Sequence, residues 1–197
     1  MDNSRSGTAR RWRDRRVLLG LLAAPLALAG STGCFGPSTP PVKPVQVITG
    51  PAGATADPAL VKEASDAALA AYKGYFQAYV AAGADQDWES KDIDKYTADP
   101  ARTQAHLTLR AEAHDKIVLT GHPVSTPFVT LVNINGPNND AVSIADCIDA
   151  TNWLKYDQKK KVYLAVSPKR YSVSALVVDY PGIGWLVQQV NETTDKC

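Results

Sequence analysis

"PFVTLVNINGPNNDAVSIADCID", residues 127–149, contains two runs of residues suited to a pleated strand, split by a cluster of turn formers. The first run, 127–136, is rich in Val, Ile, Thr and Phe, side chains that pack well on a pleated surface. "GPNND", 136–140, supplies Gly, Pro, Asn and Asp, each a turn residue for its own backbone reason. In 141–149, Val142, Ile144 and Asp146 alternate with Ala141, Ser143, Ala145 and Cys147. A period of two on both sides of a turn predicts an antiparallel hairpin with one face turned inward. The pattern recurs downstream. "KRYSVSALVVDY", 169–180, and "WLVQQV", 185–190, flank "PGIG" and predict a second hairpin, while "KIVLT", 116–120, and "KVYLAV", 161–166, are further strand candidates.

Upstream of residue 116 the period changes. Asp57 followed by Pro58 is a cap-and-proline helix start. Val61, Ala64, Ala68, Tyr72, Tyr75, Phe76 and Tyr79 then recur at steps of three and four, predicting an amphipathic helix over 58–82 that stops at Gly83. A short helix is expected over 90–96 behind Ser90. Asp99-Pro100 repeats the cap-and-proline start, and Ala101, Ala105, Leu109 and Ala113 carry a second long helix to about Lys116. Helices first and an antiparallel meander after them predict an α+β fold, its N-terminal helices packed on one face of a curved, mostly antiparallel sheet.

Residues 1–33 read as a signal peptide of the lipoprotein type. Six arginines precede "VLLGLLAAPLALA", 17–29, thirteen apolar residues where a membrane-spanning helix needs about twenty. "STGC", 31–34, resembles the lipobox of bacterial lipoproteins, which makes Cys34 the lipidated residue and places the protein on the outer face of a bacterial plasma membrane. Ser31 stands where that motif usually carries Leu. "RRVLL", 15–19, is similar to a twin-arginine export signal, so export by the general secretory or the twin-arginine route both stand. Residues 34–56, with prolines at 37, 40, 41, 44 and 51, read as a Pro-rich tether, leaving 57–197 as the folded domain.

With the six arginines set aside, residues 34–197 hold fifteen basic and eighteen acidic side chains. No basic stripe points to nucleic acid, and Lys159, Lys160 and Lys161 read as a solvated loop. If Cys34 is acylated, Cys147 and Cys197 form an even pair in an oxidising compartment, read as a disulfide; the alternative is a buried thiol at Cys147 with a loose tail. No C-x-x-C is present, and His106, His114 and His122 are spaced by eight, so no metal site or cofactor is expected. There is no Gly-rich phosphate loop, nucleophile elbow or H-E-x-x-H helix.

The "AAYKGYFQAY" helix, the "SKDIDKY" and "ADPARTQAHLTLRAEA" helices, the "TGHPV" approach, the "VSIADCID" strand and the strand opening at Trp185 together resemble the nuclear transport factor 2-like, or SnoaL-like, superfamily. The stretch Asp146, Cys147, Asp149, Trp153 is similar to one found in actinobacterial secreted lipoproteins of unassigned function. The resemblance spans about 57–192. It implies a cone-like sheet around a pocket, with an acid–base pair on the wall in catalytic members. Asp146 and His106, with Asp149 and His114 beside them, are the candidates for such a pair, and no catalytic residue is assigned. His106 and His114 lie roughly 12 Å apart along one helix, too far to act directly as a unit. Structural hydrogen bonding is the competing role for both aspartates. Tyr72, Tyr75, Tyr79, Trp88 and Trp153 are candidates to line the pocket, core packing being the alternative. Three functions follow as expectations: a non-enzymatic domain binding a small apolar ligand or an envelope protein, a small-molecule isomerase, dehydratase or hydrolase, and an accessory subunit of an envelope complex.

Overall fold

Asp57 accepts a hydrogen bond from the Ala59 amide at 2.9 Å and starts a helix, α1 (Pro58–Asp85), with Pro58 in its first turn. In the computed structural model, which describes residues 46–49, 56–134, 139–164, 169–193 and 197, α1 is preceded by a strand, β1 (Gln46–Thr49). It is followed by α2 (Lys91–Asp94) and α3 (Ala101–Asp115), then β2 (Ile117–Gly121), β3 (Val124–Ser125) and β4 (Phe128–Ile134). Next come β5 (Ala141–Asp149), β6 (Trp153–Asp157), β7 (Val162–Leu164), β8 (Arg170–Tyr180) and β9 (Gly184–Thr193). All of them belong to one unit, residues 41–197. The signal peptide, the twin-arginine pair, Cys34 and most of the Pro-rich segment lie outside the described residues. Among the described residues no helix is long and apolar enough to cross a membrane.

Both expected hairpins form. β4 pairs antiparallel with β5, and β8 pairs antiparallel with β9 through the turn at Pro181–Gly184. The main sheet runs β1-β4-β5-β8-β9, with β3 also paired to β5; β1 is parallel to β4, and the other described pairings are antiparallel. A second sheet has the order β2-β6-β7. The architecture is α+β. Val142, Ile144, Asp146 and Ile148 are buried on the inner face of β5, and the intervening residues are half-buried.

Helix α1 meets the sheet through small residues. Ala64, Ala68, Ala71, Ala78 and Ala82 are buried along with Tyr72 and Tyr75, and they form one core with Val132, Ile144, Val177 and Val187. The expected stop at Gly83 does not occur, and the helix continues to Asp85 before Gln86 closes it in the left-handed conformation, φ 57°. Gly83 serves contact instead, since a Cβ there would overlap the Leu119 side chain on β2. The segment between α2 and α3 is held to β9, where the Val187 amide donates to the Tyr96 carbonyl at 2.8 Å and the Ala98 amide to the Val187 carbonyl at 2.9 Å.

Three strands have no counterpart in the sequence reading. β1 falls inside the segment read as a tether; its "QVIT" is β-branched enough to add to the edge of β4. β3 is only two residues long. β6 shows no alternation, because Trp153 to Tyr156 are all half-buried. The start of α3 also differs. Asp99-Pro100 is a cis peptide with Pro100 in the cap position, and the Asp99 carboxylate accepts from the Thr103 hydroxyl at 2.7 Å. Cys147 on β5 and Cys197 form a disulfide with Cα atoms 5.7 Å apart, tying the last residue to the middle of the main sheet.

Candidate functional site: a tyrosine-lined cavity between the helices and the sheets

Tyr75 and Tyr79 are one turn apart on α1 and sit side by side, ring centroids 6.0 Å apart. On α3, Ala101, Ala105, Thr108 and Glu112 recur at helical spacing on one face. Two alanines at the start of that face are too small to fill the gap toward Tyr75 and Tyr79. A partly open cavity of about 700 Å³ remains, bordered also by Leu119 on β2, Trp153 and Lys155 on β6, Tyr171 on β8 and residues 190–193 of β9. That volume lies within the usual range for small-molecule sites.

Its polar groups are concentrated. Lys155 donates from Nζ to Glu112 Oε1 at 2.7 Å, bridging β6 and α3. Glu192 lies in the same wall, at the exposed end of β9. Burial raises its carboxyl above the ordinary range, Glu112 adds to the rise, and Lys155 opposes it. Tyr75, Tyr79 and Tyr171 are all raised, by burial first, with nearby carboxylates adding to the effect. Their hydroxyls stay protonated and neutral. Among the described residues, two buried side-chain polar atoms lack a hydrogen-bond partner, Glu112 Oε2 and Trp153 Nε1. Both belong to residues that line this cavity. The other buried side-chain nitrogen and oxygen atoms among the described residues have partners, as is usual for buried polar groups.

The candidates named from the sequence divide into three places. Tyr75, Tyr79 and Trp153 line the cavity; Tyr72 and Trp88 do not. Tyr72 is fully buried and donates to Asp146 Oδ2 at 2.9 Å. Asp146 also accepts from the Ser125 hydroxyl at 2.6 Å and the Thr126 amide at 2.7 Å. This carboxylate therefore ties α1, β3 and β5 together, away from the cavity wall. Asp149 accepts from the Thr151 amide at 2.9 Å at the strand end, and the Thr151 side chain and then its amide lower the carboxyl pKa.

His106 stands between α2 and α3. Its Nδ1 faces the Trp88 carbonyl at 2.6 Å and its Nε2 faces Asp94 Oδ1 at 2.8 Å. Both neighbours are acceptors, so the doubly protonated ring satisfies both. Burial opposes that charge, but the Asp94 and Trp88 hydrogen bonds outweigh it and raise the ring's pKa. Trp88 is engaged through its carbonyl and through the Arg110 guanidinium, 5.2 Å from the ring centre. His114 is exposed beside Asp115. Asp146 and His106 thus sit in separate hydrogen-bonded knots and form no pair. Among the described residues, no group of three or more His, Cys, Asp or Glu is arranged to hold a metal.

Glu112, Lys155, Tyr171 and Glu192 were not singled out from the sequence. Lys155 lies on a strand without alternation, and Glu192 lies beyond the 185–190 run read as the last strand. No local motif marks either one, since their proximity is created by β6 and β9 converging on α3. No protein-family model and no curated protein matches the chain.

Proposed function

We propose that the chain is an exported lipoprotein, anchored through Cys34 on the outer face of a bacterial plasma membrane, whose domain binds a small molecule in the α1–α3 cavity without transforming it. The observation that carries the binding reading is the coincidence of a 700 Å³ space, a tyrosine and tryptophan wall, and unpartnered polar atoms on Glu112 and Trp153. A fold under no demand to bind would fill such a space or pair those atoms. The order of helices before a mostly antiparallel sheet, with a cavity at their junction, supports the nuclear transport factor 2-like reading and its cone-like pocket. The lipobox-like "STGC" and the short apolar run before it support the anchor.

A second reading, a small-molecule isomerase, dehydratase or hydrolase, rests on Glu192. Its carboxyl is raised by desolvation, and a raised carboxyl at a cavity wall is a candidate for proton transfer. Binding without catalysis is preferred because Lys155 is committed to Glu112 and no second acid–base group faces Glu192 as a hydrogen-bond partner among the described contacts.

The binding reading is tested with the neutral fluorescent probe phenylnaphthylamine. It is expected to brighten with the wild-type domain, and Thr108→Trp, which places a large ring in the cavity from α3, is expected to abolish the signal while leaving helix content unchanged. Equal brightening of both proteins contradicts the reading. For the anchor, Cys34→Ala is expected to release the protein from the membrane fraction; full retention contradicts lipidation.

A further inference from the structure

We infer that the ligand of this cavity is an organic cation, held by an ammonium group against Glu192 and the surrounding tyrosine and tryptophan rings. The inference rests on the reading of the cavity as a ligand site and names the chemical class it takes.

Charge is the first argument. The charged lining residues are Glu112, Lys155 and Glu192, two carboxylates against one ammonium, with no Arg or His among the described lining. Lys155 Nζ is hydrogen-bonded to Glu112 at 2.7 Å. Glu192 is therefore the lining carboxylate without a cation in direct contact among the described contacts, and it borders the cavity from the exposed end of β9. An anionic ligand would meet that charge directly. A neutral apolar ligand would strip water from it and give nothing back. A cation pairs with it.

The rings are the second argument, and an independent one. Tyr75 and Tyr79 of α1, Trp153 of β6 and Tyr171 of β8 converge on the same space. Trp153 meets Tyr79 edge-on, with centroids 6.4 Å apart and planes at 74°, so the two rings form a corner and not a flat stack. Several aromatic rings around one space, with two carboxylates in the same lining, make an arrangement that attracts ammonium groups. The tyrosines remain neutral, so their faces keep this character across the physiological range.

The test uses choline and its neutral isostere, the dimethylbutanol in which carbon replaces the nitrogen, titrated calorimetrically into the full exported chain. Choline is expected to bind at least about tenfold more tightly than the isostere. Glu192→Gln, which keeps the volume and removes the charge, is expected to weaken choline by about tenfold. Equal or tighter binding of the isostere overturns the inference and leaves the cavity reading standing. So does choline binding that Glu192→Gln does not weaken. If choline fails to bind, the inference falls, and the phenylnaphthylamine titration shows whether the cavity reading falls with it.

Discussion

Asp146 receives three hydrogen bonds within 2.9 Å, from Tyr72, Ser125 and Thr126, and these donors come from α1, β3 and the loop after it. A carboxylate so occupied holds a fold together; it has little capacity left for a substrate. Asp146→Ala would leave a fully buried tyrosine hydroxyl and a backbone amide without their acceptor. A loss of about 3–4 kcal/mol is expected in denaturant unfolding, with probe binding in the cavity retained by the folded fraction. His106 makes a pH-dependent contribution. Its pKa is raised in the folded protein by Asp94 and Trp88, against the opposing effect of burial. A raised histidine stabilises fully below its unfolded value, about 6.5, and that contribution fades as pH rises through the folded value. Wild type is therefore expected to lose more stability than His106→Gln between about pH 5.5 and pH 8. Parallel losses in the two proteins would contradict a charged His106.

At the scale of elements, alternation and helical spacing carried most of the fold. The inward face of β5, with Val142, Ile144, Asp146 and Ile148, follows directly from a period of two, and Asp146 proved buried on that face. The two hairpins and α1 follow from the same rules. What stayed hidden has physical causes. β6 is half-buried from Trp153 to Tyr156 and shows no period, and β1 is four residues in a proline-rich stretch. The site was legible only in part: Tyr75, Tyr79 and Trp153 could be picked out as aromatic candidates, but Glu112, Lys155 and Glu192 come together only through tertiary folding. Gly83 shows the same limit. It looks like a helix terminator, yet it lies inside α1 where Leu119 packs against its α-carbon. By helix propensity alone Gly83→Ala would stabilise by about 1 kcal/mol. With Leu119 buried and in the way, a net destabilisation of about 1–2 kcal/mol is expected instead. An increase in melting temperature would contradict the contact.

Across the whole molecule, one side of the helix layer and the inner sheet face make a filled core, and the other end of the same layer is left open. The core uses alanines on α1 to bring helix and sheet together. Ala101 and Ala105 on α3 belong to the same core and also border the cavity, which their small side chains leave unfilled. The disulfide from Cys147 to Cys197 holds the chain end against β5, on the side of the sheet opposite to the inward-facing Asp146. A rigid sheet with an open junction is a suitable frame for a binding site, because the wall is held by elements that need no rearrangement. The account stands on that junction being a ligand site. Its most direct test is the Trp153 indole N–H resonance during titration with phenylnaphthylamine. Among the described residues that N–H has no hydrogen-bond partner, and its residue lines the cavity. A saturable shift of this resonance is expected, accompanied by shifts at Gln104, Thr108 and Glu192 and absent in Thr108→Trp. An unmoved Trp153 signal while the probe binds elsewhere would contradict the account.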